Sequence, residues 1–337
     1  MKTVVRSSLF VAMIVLCALH AREASAQGGQ TAQPATSNPT ASQQDQELDS
    51  QVFIREVRVP ITVLDKKKEP VVGLTVNDFL ILEDKQPQQI VSFTNESQNQ
   101  PLYIGVLMDT SSSTAGKLRF EKEAALNFIH TVARLRKDQV AFVTFDDEVR
   151  LLQDFTTRLD LLDKAVNNVK KPGNHTALYD AVWQICDEKM RSIPGRRALV
   201  VITDGDDTYS RATLANAIDI AQRTETVIFA ISTKAGFSGS VPGVEAGQVA
   251  DRGDRDLEKL CEETGGRAFF TGDILALERS FTRVAREMRS QYIATYRPTN
   301  NRYDGSSRRI EVKLANKGKG MKVTAKSGYT AIADGIR

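Results

Sequence analysis

One apolar run constrains this chain more than any other feature: residues 103–108, Tyr-Ile-Gly-Val-Leu-Met, lead directly into Asp109-Thr110-Ser111-Ser112-Ser113. A short apolar run that ends in polar residues and is followed by a helical pattern is typical of a buried parallel strand. Such a strand delivers Asp109 to the carboxyl edge of its sheet. Open α/β sheets bind their ligands at that edge.

A second apolar run, residues 198–203, ends on Asp204-Gly205, and the polar turn at residues 173–178 brings Thr176 toward the same edge. Oxygen donors of this kind suit a hard divalent cation, so the sequence predicts a site for Mg²⁺ or Mn²⁺. Which of the two carboxylates contacts the metal directly stays open. The predicted metal ligands are Asp109, Ser111, Ser113, Thr176 and Asp204.

Asp109-Thr110-Ser111-Ser112-Ser113 resembles the D-x-S-x-S signature of von Willebrand factor type A (VWFA) domains. Thr176 and Thr203-Asp204-Gly205 match the Thr and the T-D-G that complete this signature. The flanking segments, over roughly residues 50–333, are similar to the VWFA-related type common in secreted proteins of Acidobacteria. The resemblance implies a metal-ion-dependent adhesion site (MIDAS). It also implies that the Asp109 and Asp204 strands are neighbours where the strand order reverses.

Strand and helix patterns alternate from residue 101 to about residue 290, which predicts a Rossmann-like, doubly wound, mostly parallel α/β sheet with helices on both faces. Residues 51–100 and 291–333 show β patterns instead. The later strands are too few to form a stable sheet alone. We therefore expect both segments to form one smaller β-sandwich-like domain, into which the VWFA domain of residues 101–290 is inserted.

The N-terminus has the features of an export signal. Lys2 and Arg6 precede an apolar stretch at residues 9–19, and Ala24-Ser25-Ala26 supplies a cleavage pattern, so residues 1–26 are predicted to be a signal peptide. The alternative is a retained anchor, but the stretch is shorter than the ~20 residues of a spanning helix. Residues 27–50 are rich in Gln, Thr, Ser, Pro and Ala and predict a disordered linker. We expect an exported protein, periplasmic, cell-surface or extracellular, without a membrane span in the mature chain.

Three further features have ordinary explanations. Cys186 and Cys261 fall in separate predicted helices, out of disulfide reach, and are expected to be buried free thiols. Asp206 and Asp207 are expected to be solvated loop residues. The tripeptide Arg252-Gly253-Asp254, an integrin ligand in some extracellular proteins, is expected to be a chance match in a mobile loop.

Composition and motifs favour binding over catalysis. A net charge of +3 over 337 residues, without interleaved basic and aromatic residues, argues against nucleic acid. Beyond the signal, only His130 and His175 are available as bases, and no G-x-S-x-G, P-loop or zinc-type spacing occurs. The sequence therefore predicts a secreted, non-enzymatic, adhesion-type module whose metal accepts a carboxylate of a protein partner. The alternatives are a metal-dependent hydrolase and a metal-free envelope scaffold. The oligomeric state stays open.

Overall fold

The structure is a computed structural model that describes residues 56–95, 100–112, 118–133, 137–169, 172–203, 206–233, 251–270, 274–315 and 320–332. The predicted signal peptide and linker lie outside these residues, as do Ser113 and Asp204.

Fourteen strands and six α-helices occur in the described residues. The strands are β1 (Val57–Leu64), β2 (Phe79–Glu83), β3 (Gln86–Gln88), β4 (Ile90–Thr94), β5 (Leu102–Asp109), β6 (Gln139–Phe145), β7 (Val149–Thr156), β8 (Arg196–Thr203), β9 (Thr226–Ser232), β10 (Ala268–Phe270), β11 (Tyr292–Tyr296), β12 (Ser307–Leu314), β13 (Lys322–Ala325) and β14 (Gly328–Thr330). The helices are α1 (Leu118–Val132), α2 (Leu159–Asn167), α3 (Leu178–Ile185), α4 (Leu214–Arg223), α5 (Arg252–Thr264) and α6 (Ile274–Arg289). A π-helical turn, Cys186–Met190, follows α3, and a 3₁₀ turn, Val76–Asp78, precedes β2.

The central sheet has six strands in the order β10-β9-β8-β5-β6-β7. All neighbours are parallel except β7, which is antiparallel to β6. Helices α1, α2 and α6 cover one face of the sheet, and α3, α4 and α5 cover the other. One hydrophobic cluster lies between the sheet and the helices on each face. This arrangement confirms the predicted doubly wound α/β fold. It also confirms that β5 and β8 are neighbours at the point where the strand order reverses.

Strands from the two ends of the described chain form two four-stranded sheets, β13-β1-β11-β4 and β14-β12-β2-β3. β1 pairs with β11 and β13, and β12 pairs with β2. The two sheets share one core, in which the rings of Phe79 and Tyr292 lie 5.3 Å apart. The N- and C-terminal β segments therefore belong to one sandwich, as predicted from their patterns. The exact domain boundaries stay a prediction.

The chain passes between sandwich and central sheet at the amino-terminal edge of the parallel strands. β4 leads to the start of β5 at Leu102, and α6 leads through Ser290 and Gln291 into β11. Asp109 lies at the other end of β5, seven residue steps or roughly 23 Å away. Both crossings between sandwich and central sheet therefore lie at the edge opposite to Asp109.

The expectation of a mobile loop at Arg252-Gly253-Asp254 is wrong, because these residues form the first turn of α5. The Asp251 side chain caps this helix by accepting from the Asp254 N–H at 3.1 Å. Gly253 and Asp254 are buried, so the tripeptide is not presented as a ligand.

Cys186 and Cys261 are free and buried, which confirms the prediction of two unpaired thiols. Among the residues that the structure describes, no helix is long and apolar enough to cross a membrane.

Candidate metal site at the carboxyl edge of the sheet

Asp109 is the last residue of β5, and its carboxylate is fully buried. It connects the turn after β5 to the end of β8. Its Oδ1 accepts from the backbone N–H of Ser111 at 2.8 Å, and its Oδ2 accepts from the Thr203 hydroxyl at 2.6 Å. Thr203 is the last residue of β8 and directly precedes Asp204. The two strand ends are thus tied together through one carboxyl group of fixed orientation.

A second buried carboxylate, Asp146, fixes the turn that follows Asp109. It lies just after β6, and its Oδ2 accepts from the Thr110 hydroxyl and from Arg150 Nη1, both at 2.8 Å. Sequence reasoning missed this residue. The signal was present, because Phe145 ends an apolar strand and Asp146 follows it, the same pattern that identified Asp109 and Asp204.

Gly173 begins the turn that carries Thr176 and lies against this carboxylate. Its N–H donates to the Thr110 carbonyl at 2.8 Å. A Cβ at this position would lie 2.5 Å from Cβ of Asp146, which is closer than real side chains approach. Glycine is therefore required for the close packing of this turn on the end of β6.

Thr176 is nearly buried and is held by the loop that follows Asp204-Gly205. Its N–H donates to the Thr208 hydroxyl at 3.0 Å, and its carbonyl accepts from the N–H groups of Thr208 and Tyr209 at 2.9 and 3.1 Å. The structure thus places Asp109, Ser111 and Thr176 at one edge of the sheet. Their role as metal ligands, and that of Ser113 and Asp204, stays a prediction.

The family model for the von Willebrand factor type A domain matches residues 104–283. The chain belongs to this family. No curated protein sequence matches it. Among solved structures, an aerotolerance-related membrane protein from Bacteroides fragilis is 16% identical with a TM-score of 0.43, over 56% of this chain and 98% of that one. Proximal thread matrix protein 1 from the mussel byssus is 16% identical with a TM-score of 0.46, over 61% of this chain and 51% of that one. Another structure of the mussel protein has a zinc-occupied MIDAS motif, at 16% identity, a TM-score of 0.45, and 61% and 49% coverage.

In this VWFA domain, Asp207 is half-buried and caps α3, so its expected role as a solvated loop residue is wrong. Its Oδ1 accepts from the N–H groups of Leu178 and Tyr179 at 2.9 and 3.3 Å, and from the Ser210 hydroxyl at 2.5 Å. Burial raises the pKa of Asp207, and these hydrogen bonds oppose the rise. The cap ties the loop after β8 to the helix that begins beside Thr176. Asp206 is exposed.

His175 of the VWFA domain has a carboxylate partner that the sequence did not reveal. Its Nδ1 lies 2.5 Å from Oδ1 of Asp147, and its ring stacks on Tyr209 with centroids 4.7 Å apart. The backbone N–H of Asn174 lowers the pKa of Asp147 most, and His175 lowers it further. Among the described residues, no hydroxyl group is hydrogen-bonded to His175.

The donor atoms at this edge fit a hard cation better than a soft metal ion. They are carboxylate and hydroxyl oxygens, the ligands preferred by Mg²⁺ and Mn²⁺. Within the described ranges, no three His, Cys, Asp or Glu side chains are grouped so as to hold a metal ion. The VWFA site would instead depend on hydroxyl groups beside its two carboxylates.

Proposed function

We propose that this protein is a secreted, non-enzymatic, adhesion-type module that binds a divalent cation at a MIDAS and recruits an acidic group of a protein partner. The cation, Mg²⁺ or Mn²⁺, would be held by Asp109, Ser111, Ser113, Thr176 and Asp204. The observation that supports this proposal best is the position of Asp109, whose carboxylate is buried at the carboxyl edge and bonded to both Ser111 and Thr203.

The chain's own contribution is to hold its ligands in place before the cation arrives. Thr203 and the Ser111 N–H fix the Asp109 carboxylate, and the Thr208 loop fixes the backbone of Thr176. When bound, the cation supplies positive charge and an open position for an outside carboxylate, since at most five of its six oxygens come from this chain. Ligands that are already positioned lose little freedom on binding, which favours affinity.

A hydrolase is the second candidate, and the Asp147–His175 pair is the one feature that favours it. A histidine oriented by a carboxylate can act as a general base. A nucleophile must also lie within hydrogen-bond reach of that histidine. The exposed Ser112 hydroxyl instead donates to the Asn174 carbonyl at 3.0 Å. The geometry therefore supports binding better than nucleophilic catalysis.

Calorimetric titration with Mg²⁺ and Mn²⁺ tests the proposal directly. The wild-type protein is expected to bind about one equivalent of metal saturably. The Asp109→Ala variant is expected to show no heat of metal binding, although circular dichroism should show that it is folded. Asp160→Ala is the matched control, because this aspartate is exposed on α2 and paired only with Arg158 in the described contacts. A folded wild type that binds neither metal would favour the metal-free scaffold.

The proposed export has a separate test. Expression of the full chain in a bacterial host that secretes proteins is expected to yield a mature N-terminus at Gln27, read by mass spectrometry. A protein that retains residues 1–26 would favour the anchored alternative.

A further inference from the structure

A cleft lies at the amino-terminal edge of the central sheet, on the side opposite to Asp109. Its interior is small, about 10 Å³ or room for one water-sized particle, and it is partly open to solvent. Strands β1 and β11 of the sandwich form one wall, and the beginnings of β8 and β9 form the other. We call it the arginine cleft, because its lining contains three guanidinium groups and one carboxylate beside the amide of Gln291. The charged groups are Arg58, Arg196, Arg197 and Glu225.

The single carboxylate of the lining is shared by two of the arginines. Glu225 Oε2 lies 3.4 Å from Arg58 Nη1 and 3.6 Å from Arg197 Nη1, both longer than a charge-assisted hydrogen bond. The other described hydrogen bonds of Arg197 go to neutral carbonyls, those of Ile193 and Thr224. Two positive charges therefore share one negative charge, which lies at ion-pair distance from both.

The surroundings of Arg197 disfavour its charge. Burial lowers the pKa of its guanidinium most, the positive charge of Arg58 lowers it further, and Glu225 opposes both. An additional anion between Arg58 and Arg197 would relieve both effects, because it would lie close to two cations in a partly desolvated place.

Gln291 provides a neutral donor in the same lining. Its side chain is nearly buried, and its Oε1 accepts from Arg196 Nη2 at 3.3 Å. Its Nε2 has no hydrogen-bond acceptor among the residues that the structure describes. A buried amide N–H is costly to leave without an acceptor, and an anion in the arginine cleft would supply one.

We propose that the arginine cleft binds a small monovalent anion, such as chloride, between Arg58, Arg197 and the Gln291 amide. The anion would connect the sandwich to the central sheet, since Arg58 lies on β1 and Arg197 on β8. This site is independent of the proposed metal site, because it lies at the opposite edge of the same sheet.

Anomalous diffraction from crystals of the protein soaked in sodium bromide tests the site. We expect a bromide peak within hydrogen-bond distance of Gln291 Nε2. A water molecule there, with no anomalous signal, would overturn the proposal. Crystals soaked in sodium acetate distinguish a carboxylate from a halide as the preferred anion.

Thermal unfolding in solution provides the second test. At matched ionic strength, sodium chloride is expected to raise the Tm by roughly 2–3 °C relative to sodium gluconate, as for a ligand that binds only the folded state. Arg58→Gln and Gln291→Leu should each remove most of this difference. Arg297→Gln is the matched control and should keep it, because this arginine is also partly exposed and paired with a glutamate, Glu56, but lies outside the cleft. A Tm that depends on ionic strength alone would also contradict the proposal.

Discussion

The hydroxyl of Thr203 donates to Oδ2 of Asp109 over 2.6 Å, and both groups are fully buried. This bond joins the ends of β5 and β8, the two strands at which the order of the sheet reverses. It fixes one carboxylate oxygen, while the Ser111 N–H fixes the other. Thr203 is thus a positioning residue for the proposed metal site.

Substitution of Thr203 tests this role. Thr203→Val keeps the shape of the side chain but removes the hydroxyl that donates to Asp109. We therefore expect the free energy of unfolding to fall by about 1–3 kcal/mol. Metal binding should weaken as well, because Oδ2 loses its orientation. Urea denaturation and calorimetric Mg²⁺ titration measure the two effects. Thr203→Ser retains the hydroxyl, and if it lost as much metal affinity as Thr203→Val, the hydrogen bond would not be the cause.

A buried hydrogen-bonded cluster links the two sheets of the sandwich. Glu83 on β2 accepts at Oε2 from the hydroxyls of Tyr296 on β11 and Tyr329 on β14, at 2.6 and 2.9 Å. Tyr296→Phe is therefore expected to lower the free energy of unfolding by about 1–3 kcal/mol, the cost of leaving a buried polar group without its hydrogen-bond partner. Chemical denaturation measures the loss. Tyr303→Phe, at an exposed tyrosine outside this cluster, should change stability little.

The pH dependence of stability should contain a contribution from Glu287 on α6. Burial raises its pKa above the ordinary 4.5, although Arg267 opposes the rise from an ion-pair distance of 3.2 Å. A carboxyl group with a raised pKa binds more protons in the folded state, so its contribution to stability falls as the pH rises from about 4.5 through the folded-state pKa.

Glu287→Gln removes this titration. The Tm of the variant minus that of the wild type should become more positive between about pH 4 and pH 7, and at pH 7 the variant should be at least as stable. Scanning calorimetry over this range is the measurement. A variant that became relatively less stable as the pH rose would show that the Arg267 ion pair outweighs the cost of burial.

The two buried thiols should be inert in the folded protein. Burial raises the pKa of Cys186 to about 12 and that of Cys261 well above its ordinary value, so neither forms the reactive thiolate near neutral pH. We expect iodoacetamide to label neither residue in native buffer and both in guanidinium chloride, as read by peptide mass spectrometry. Labelling of either thiol in the native protein would contradict this prediction and indicate local opening of the π-helical turn after α3 or of α5.

The elements with strong periodicity were predictable from the sequence. The apolar runs that form β5 and β8 end where expected, and the family resemblance implied that they are neighbours. The role of Asp207 as a cap of α3 could not be identified from the sequence. Its hydrogen bond to the Leu178 N–H forms only because the fold brings together two residues that are 29 positions apart in the chain. Hydrophobic periodicity carries no information about such contacts.

The start of α5 shows a different limitation. The glycine at position 253 lowers helix propensity, and the sequence alone predicted a mobile loop at Arg252-Gly253-Asp254. In the structure, Asp251 caps the helix, which begins at Arg252. An aspartate before a helical pattern is a known start signal, and here it outweighs the local preference of glycine.

Leu102 and Asp109 are the two ends of one strand, and that strand has seven paired residues with each of its neighbours. If a partner held at the carboxyl edge were pulled away, the force would run lengthwise along β5 toward the sandwich. A force along the strand would act on many of the hydrogen bonds between β5 and its neighbours at the same time. A force across the strand would instead break these hydrogen bonds one after another. Under the proposed function, the load of a bound partner would therefore reach the sandwich through a strand that is paired along both of its sides.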